Sequence, residues 1–422
     1  MHVSFEDWTQ GRSVPSLGTN AGAPVLPFQS WRRFKEAFAP ELVARAVMES
    51  KISVGRCLDP FGGSGTTALA CQFLAIHPVV VEVNPFLADL IEAKLARYDT
   101  DALASDFGIV AHRAARQERM CGTALRDLPR TFVEPGWNGR WVFDREVAVR
   151  ISAVLEAIEQ LHNDNHRRLF RVLLGGVLID VSNVVVSGKG RRYRRSWERR
   201  RVDPRTVDGL FRDAVQRAIP EIHRFARRAC PSYDLRRGDC RTVLNETIPC
   251  DLAVFSPPYP NSFDYTDVYN VELWALGYLT NGASNRALRE STLCSHVQLG
   301  REFPSPPGGS SALAETLERL EARRDELWDH RIPAMVGGYF SDIMAVLTRI
   351  NRSISSQGSV WMVLGDSRYA DVQIETAQII SELASLADWR IDTVEPCRSM
   401  RSSAQQGGLA DLAETLIVLS KL

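Results

Sequence analysis

The sequence predicts an α/β protein, and three observations carry that expectation. Near the start, the apolar runs Arg56-Cys-Leu-Asp59 and Pro78-Val-Val-Val-Glu-Val83 flank a glycine-rich turn and a small-residue helix at 66–74. Strand, helix and strand in that order read as a βαβ unit. Further on, the apolar run Asp251-Leu-Ala-Val-Phe255 stops abruptly at Ser256-Pro-Pro-Tyr259, and two β-rich runs, 389–394 and 414–419, close the chain around a polar loop.

Taken in order, residues 1–30 are rich in Gly, Pro, Ser and Thr without periodicity, which predicts an irregular arm. Pro40 opens a helix at a position where its missing N–H costs nothing. Residues 31–100 and 231–422 are expected to form one α/β domain, and the amphipathic stretch 101–230 a largely helical insertion. In the second part, helices are expected at 268–279, 313–327 and 340–350 and a strand at 359–364, with 280–335 a further loop-and-helix insertion.

The 422 residues carry 51 Lys plus Arg against 51 Asp plus Glu, so any nucleic-acid surface has to come from local clusters. Eight scattered cysteines without a CxxC pair point to a reducing compartment and no metal site. Neither a basic-then-apolar leader nor an apolar run of about 20 residues is visible, so a cytoplasmic protein with no membrane partner is expected.

Two motifs carry chemistry. The string Asp59-Pro-Phe-Gly-Gly-Ser-Gly-Thr-Thr67 lies between strand and helix, where glycines allow a tight turn and close backbone approach to a ligand. Glu82 ends the next strand, where a carboxylate accepts hydrogen bonds from a ribose diol. No Gly-Lys-Ser/Thr follows the turn and the spaced G-x-G-x-x-G is missing, so a nucleoside-containing cofactor fits better than a nucleotide triphosphate or dinucleotide.

The second motif suits an exocyclic base amine, a poor nucleophile because its lone pair is delocalised into the ring. Acceptors on its two N–H groups draw it toward tetrahedral geometry. Ser256 Oγ and the Pro257 carbonyl are such acceptors, and Pro257 and Pro258 fix φ so that the carbonyl is held rigidly. Tyr259 offers a flat face for a base taken out of a duplex.

Together, the glycine string and Ser-Pro-Pro-Tyr resemble the paired motifs of S-adenosylmethionine-dependent amino-group DNA methyltransferases of the N4-cytosine and N6-adenine type. The resemblance covers 25–100 and 231–422 and implies a class I methyltransferase fold, a Rossmann-like, seven-stranded, mostly parallel sheet with an antiparallel final hairpin. It implies that Asp59, Pro60, Phe61, Gly62, Gly63, Gly65 and Thr66 surround the methionine end of S-adenosylmethionine, with Glu82 and Asn84 at the ribose and Asp239 and Cys240 at the adenine. Phe28-Gln-Ser-Trp-Arg-Arg-Phe-Lys-Glu-Ala-Phe-Ala-Pro-Glu-Leu42 resembles the family segment that packs beside the cofactor just ahead of the glycine turn. By the same resemblance, Ser256, Pro257, Pro258 and Tyr259 are catalytic, and serine at the first position leans toward N4 of a flipped cytosine. Adenine N6, an RNA amino group and a non-enzymatic nucleic-acid binder stay open as alternatives. DNA is the expected partner, with a cognate restriction or defence nuclease as the further partner that context implies.

DNA contacts are expected from the densest charge in the chain, where Lys189, Arg191, Arg192, Arg194 and Arg195 interleave with Tyr193 and Trp197. Arg398 and Arg401 form a second candidate contact, and Asp264, Tyr265 and Tyr269 are candidates for the wall of a base pocket.

Overall fold

The computed structural model describes residues 2–19, 25–32, 37–116, 128–187, 190–401 and 411–422. Seven strands make one sheet: β1 (Arg56–Asp59), β2 (His77–Glu82), β5 (Asp234–Arg237), β6 (Cys250–Phe255), β7 (Ile354–Gly365), β10 (Trp389–Arg401) and β11 (Asp411–Lys421). Between them in the chain lie two small hairpins, β3 (Val184–Ser187) with β4 (Gly190–Tyr193), and β8 (Ser367–Tyr369) with β9 (Val372–Ile374). The order across the sheet is β10-β11-β7-β6-β1-β2-β5, parallel from β5 to β7, with β11 antiparallel to both neighbours. This is the class I methyltransferase sheet expected from the sequence.

Residues alternate between its two faces, as the period of two in a strand demands. On β7, Trp361 and Val363 join one apolar core while Val360, Met362 and Leu364 join the other. Helices Ile332–Ser353 and Thr376–Ser385 cover the second face. The first face is covered by Thr66–Phe73 and Pro85–Leu95 together with the insertion helices Thr100–Arg116, Arg145–Glu159, Asp164–Val181 and Arg205–Arg224. Leu103, Phe170 and Phe211 of the insertion belong to the same continuous core as Val80 and Val254 of the sheet.

The described part of the arm expected to be irregular contains a helix. A reciprocal cap between Ser4 and Asp7 starts a helix, Phe5–Thr9, whose Trp8 stacks on Phe73 at 4.9 Å. The helix expected at 268–279 is two short pieces, Tyr265–Val268 and Asn270–Ala275, and the charged helix runs Ser311–Ala322. No helix among the described residues is long and apolar enough to cross a membrane.

What positions a site is the middle of the sheet. From β1 the chain continues outward to β2 and β5, whereas from β6 it continues the other way to β7. Connections that depart in opposite directions leave a crevice at the carboxyl ends of the two strands. The glycine turn leaves the end of β1 and Ser-Pro-Pro-Tyr leaves the end of β6, on neighbouring strands registered Cys57 to Leu252 and Leu58 to Ala253.

Candidate active site

Both motifs line a single cavity of about 320 Å³. That size falls at the lower end of the range for small-molecule sites. Asp59 through Ser64, Thr66, Glu82, Asn84, Asp239 and Cys240 form one side, and Ser256 through Tyr259 the other.

The glycine wall is held by its own backbone. Phe61 N–H donates to Asp59 Oδ1 at 2.9 Å, Gly63 N–H to Glu82 Oε2 at 2.7 Å, and Asn84 N–H to Glu82 Oε1 at 2.7 Å. The Asn84 side chain then caps the helix that begins at Pro85. Gly62 has no room for a side chain, since a Cβ there falls 2.4 Å from Val80 Cγ1. Gly65 does not line the cavity: it sits behind the turn with φ of +79°, facing Ile91 and starting the helix Thr66–Phe73. Burial pushes Asp59 up to about 6 and Glu82 up to about 7, against the hydrogen bonds from Phe61, Thr67, Gly63 and Asn84.

Below the turn, the fully buried Lys94 donates to the Ser64 carbonyl at 2.7 Å and to Gln29 Oε1 at 3.2 Å, and burial lowers its pKa to about 7. Gln29 belongs to the aromatic segment expected beside the cofactor. Phe28 and Trp31 of that segment are core residues whose N–H groups, backbone and indole respectively, donate to Glu221 of the insertion at 2.8 Å. Ala37 and Phe38 of the same segment line the cavity. Asp239 caps the helix Cys240–Val243 and also binds the Arg241 guanidinium, with Arg241 tied in turn to Asp342. Oδ1 accepts from the Arg241 backbone N–H at 2.9 Å and from Nε at 3.0 Å, and Oδ2 from Nε at 3.1 Å and from the second guanidinium nitrogen at 2.7 Å.

The opposite wall is built from side chains that meet across the sheet. Ser256 Oγ lies 2.9 Å from the Val363 carbonyl and 3.2 Å from the Tyr259 hydroxyl, and Tyr259 donates to Glu414 Oε1 at 2.9 Å. Arg398 grips the same carboxylate, Nε to Oε2 at 2.6 Å. Glu414 is 2% exposed and lines the cavity. Burial pushes the Tyr259 phenol well above its usual range, and the Glu414 charge adds to that. From the other side the buried Tyr369 hydroxyl donates to the Pro260 carbonyl at 3.1 Å, which pins the loop.

Beyond the motif, Asp264 caps Tyr265–Val268 and pairs with Arg289. Phe263 and Tyr265 meet edge to face at 4.5 Å, and both line the cavity. His296, also lining it, is 1% exposed, lies 3.8 Å from Asp264, and is lowered to about 4 by burial. Tyr269 is not part of this wall, being buried in the core against Phe86. Glu414 and His296 are site residues that the motifs did not reveal. A buried acid at the head of the apolar run 414–419 was the only sequence signal for Glu414.

The arginine-rich segment divides. Arg192 and Arg195 are exposed. Arg191 lies over the Phe132 ring at 5.4 Å. Arg194 instead donates to the Ile179 and Ser182 carbonyls at 2.8 and 3.1 Å, closing the end of Asp164–Val181. Trp197 is buried against Trp141 and Tyr193, so it is a packing residue and not a stacking platform. Lys189 lies outside the described residues, as does the side chain of Arg401. Arg398, expected on DNA, turns inward to Glu414 because a buried carboxylate demands a partner. The hairpin β3–β4 leans on Tyr265–Val268 at the cavity wall, where a Cβ on Gly190 comes within 3.1 Å of Asp267 Oδ2.

No protein-family profile matches the chain. Type II methyltransferase M.AvaI from Nostoc sp. and from Anabaena variabilis is 25% identical over 443 residues, 94% of this chain and 86% of theirs. Type II methyltransferase M.BsoBI of Geobacillus stearothermophilus is 23% identical over 430 residues, 88% of this chain and 79% of its own. Among solved structures, the rRNA methyltransferase aviRa from Streptomyces viridochromogenes aligns over 91% of this chain and 85% of its own at 10% identity, with a TM-score of 0.26. Over most of its length, then, this chain is homologous to Type II methyltransferases.

Proposed function

We propose that the protein is a site-specific DNA methyltransferase that uses S-adenosylmethionine to methylate the exocyclic amine of a flipped base, N4 of cytosine. The observation that carries this reading is the convergence of the glycine turn and Ser-Pro-Pro-Tyr, from adjacent strand ends, on one cavity. The homology to Type II methyltransferases supports it.

The residues present fit the cofactor. Gly62 and Gly63 put bare backbone on the cavity wall, the Glu82 carboxylate lines the cavity for a diol, and Phe38, Phe61 and Leu87 supply apolar wall for a nucleoside. Bound there, S-adenosylmethionine supplies an electrophilic sulfonium methyl group. In this reading Asp59 and the turn orient its amino-acid end, Glu82 its ribose, and Asp239 with Cys240 its adenine.

On the target side, Ser256 has one hydroxyl proton, engaged by Val363 or Tyr259, and its lone pairs accept an N–H of the base. The Pro257 carbonyl accepts the other. Tyr259, fixed at its hydroxyl by Glu414, stacks on the extruded ring. The hairpin β3–β4, with exposed Arg192 on β4 and exposed Arg195 just after it, contacts backbone phosphates beside the cavity.

Labelled methyl transfer tests this directly. Incubation with tritiated S-adenosylmethionine is expected to label double-stranded DNA and not RNA, and digestion to nucleosides is expected to yield N4-methylcytosine. N6-methyladenine would correct the base, and label confined to RNA would overturn the substrate.

A further inference from the structure

We infer that Glu414 is the final acceptor of the proton that the reacting amine sheds, and that the proton reaches it through Ser256 and Tyr259. The inference rests on the methyltransferase reading of the cavity. It concerns a residue outside both sequence motifs, on a strand that enters the sheet last.

The chemistry creates the need. When the amine nitrogen forms its bond to the methyl carbon, the carbon–sulfur bond breaks with its electron pair going to sulfur. The nitrogen is left with a positive charge and an extra proton. At the position nearest the amine this chain has a serine, whose hydroxyl is no base near neutrality. Ser256 takes up a proton only if it passes its own proton on.

The structure supplies the onward path. Ser256 Oγ is placed to donate to the Tyr259 hydroxyl at 3.2 Å, and Tyr259 donates to Glu414 Oε1 at 2.9 Å. The bond from Tyr259 to Glu414 runs in the direction in which the proton must move, and Ser256 joins it when its hydroxyl turns from the Val363 carbonyl, 2.9 Å away, to Tyr259. In concert, the amine proton goes to Ser256 Oγ, the Ser256 proton to Tyr259 Oη, and the Tyr259 proton to Glu414. The products are a neutral methylated amine, unchanged serine and tyrosine, and a protonated carboxyl group that later returns its proton to solvent. One positive and one negative charge disappear together, which favours the transfer in a site of low dielectric.

The surroundings hold Glu414 to this task. β10 contributes the charged Arg398, bonded at 2.6 Å to Oε2, and the neighbouring Cys397. Tyr259 comes from the loop after β6, with Tyr265 of the next helix beyond it. The N-terminal arm covers the carboxylate with Gly18, where a Cβ would fall 2.3 Å from Oε2, and brings no charge. Oε1 is the oxygen turned to Tyr259, and it also accepts from the Arg398 guanidinium at 3.3 Å. As Glu414 acts through Tyr259 and Ser256, it is a positioning residue and not one that touches the base.

The test uses the full chain in single-turnover methyl transfer to double-stranded DNA at saturating S-adenosylmethionine, with the cofactor Kd measured by calorimetry. Glu414→Gln and Tyr259→Phe should each slow transfer about 100-fold near neutral pH, the scale of a lost general base. Their rates should climb with pH as hydroxide becomes the acceptor, while the cofactor Kd stays within about twofold. Because both changes cut one path, the double variant should be no slower than either single one. Should Glu414→Gln fail to fold with Arg398 unpaired, Tyr259→Phe, which keeps that ion pair, decides by the same criteria. A rate within about threefold of wild type with an unaltered pH profile, or full additivity in the double variant, overturns the inference. If the wild-type protein itself transfers no label, the underlying reading of the cavity falls instead.

Discussion

The two walls of the cavity are made differently. At the glycine turn, the two carboxylates find their backbone donors within one βαβ unit: Asp59 in Phe61, Glu82 in Gly63 and Asn84. On the opposite wall every anchor comes from far along the chain, with Ser256 meeting Val363, Tyr259 meeting Glu414, and Pro260 meeting Tyr369. Backbone amides hold the first wall, and they present fixed dipoles. Hydroxyl groups and a carboxylate hold the second, and their protons can move. One wall is built to bind and the other to react.

Crowding at Gly62 offers the sharpest way to break this division. Gly62→Ala places a methyl group against Val80 and Ile91, which should destabilise the protein by about 1–3 kcal/mol. Displacement of the turn should weaken S-adenosylmethionine binding at least tenfold, about 1.4 kcal/mol or more. Calorimetry giving an unchanged Kd would show that the turn does not hold the cofactor.

Protonation sharpens the comparison from the binding side. Asp59 and Glu82 are raised by burial to about 6 and about 7. Carboxyl groups raised in the folded state stabilise it fully at low pH, and that contribution is lost as pH climbs through those two values. Cofactor binding selects the ionised forms, so the rise in Tm produced by S-adenosylmethionine should grow between about pH 5.5 and pH 8. Calorimetry near pH 6 should also register proton release. A Tm increment that is flat in pH would remove Glu82 from the ribose.

The smallest effects belong to the arginine segment. Arg192→Ala and Arg195→Ala should each lower the slope of log binding constant against log salt by about 1 without changing Tm. Arg194→Ala should leave that slope alone and cost about 1 kcal/mol of stability, because the Ile179 and Ser182 carbonyls each lose one donor and keep another, Ser182 Oγ and Arg200 respectively. The reverse pattern would restore Arg194 to the DNA surface.

The same contrast explains what was legible in the sequence. Strands β1, β2 and β6 and both motifs could be read because turn chemistry and apolar runs are local. The helix Phe5–Thr9 was missed although Ser4 and Asp7 sit at the spacing of a reciprocal cap, since the loop-like composition of the arm hid it. Glu414 was opaque for a different reason: its partner Tyr259 lies 155 residues away, and only sheet closure brings them together. Nor does a run of arginines show which guanidinium will turn inward to close a helix. Arg194 did, because helix-end carbonyls accept it, while Arg398, on β10, pairs with the buried Glu414.

The account depends most on the claim that the glycine wall binds the donor while the Ser-Pro-Pro-Tyr wall activates the acceptor. Ser256→Ala separates the two in one comparison of calorimetric S-adenosylmethionine binding with single-turnover transfer to DNA. The account predicts an unchanged cofactor Kd and transfer slowed about 100- to 1000-fold, the scale of one lost oriented hydrogen-bonding group. Wild-type transfer in this variant, or a loss of cofactor binding equal to the loss of rate, would contradict it.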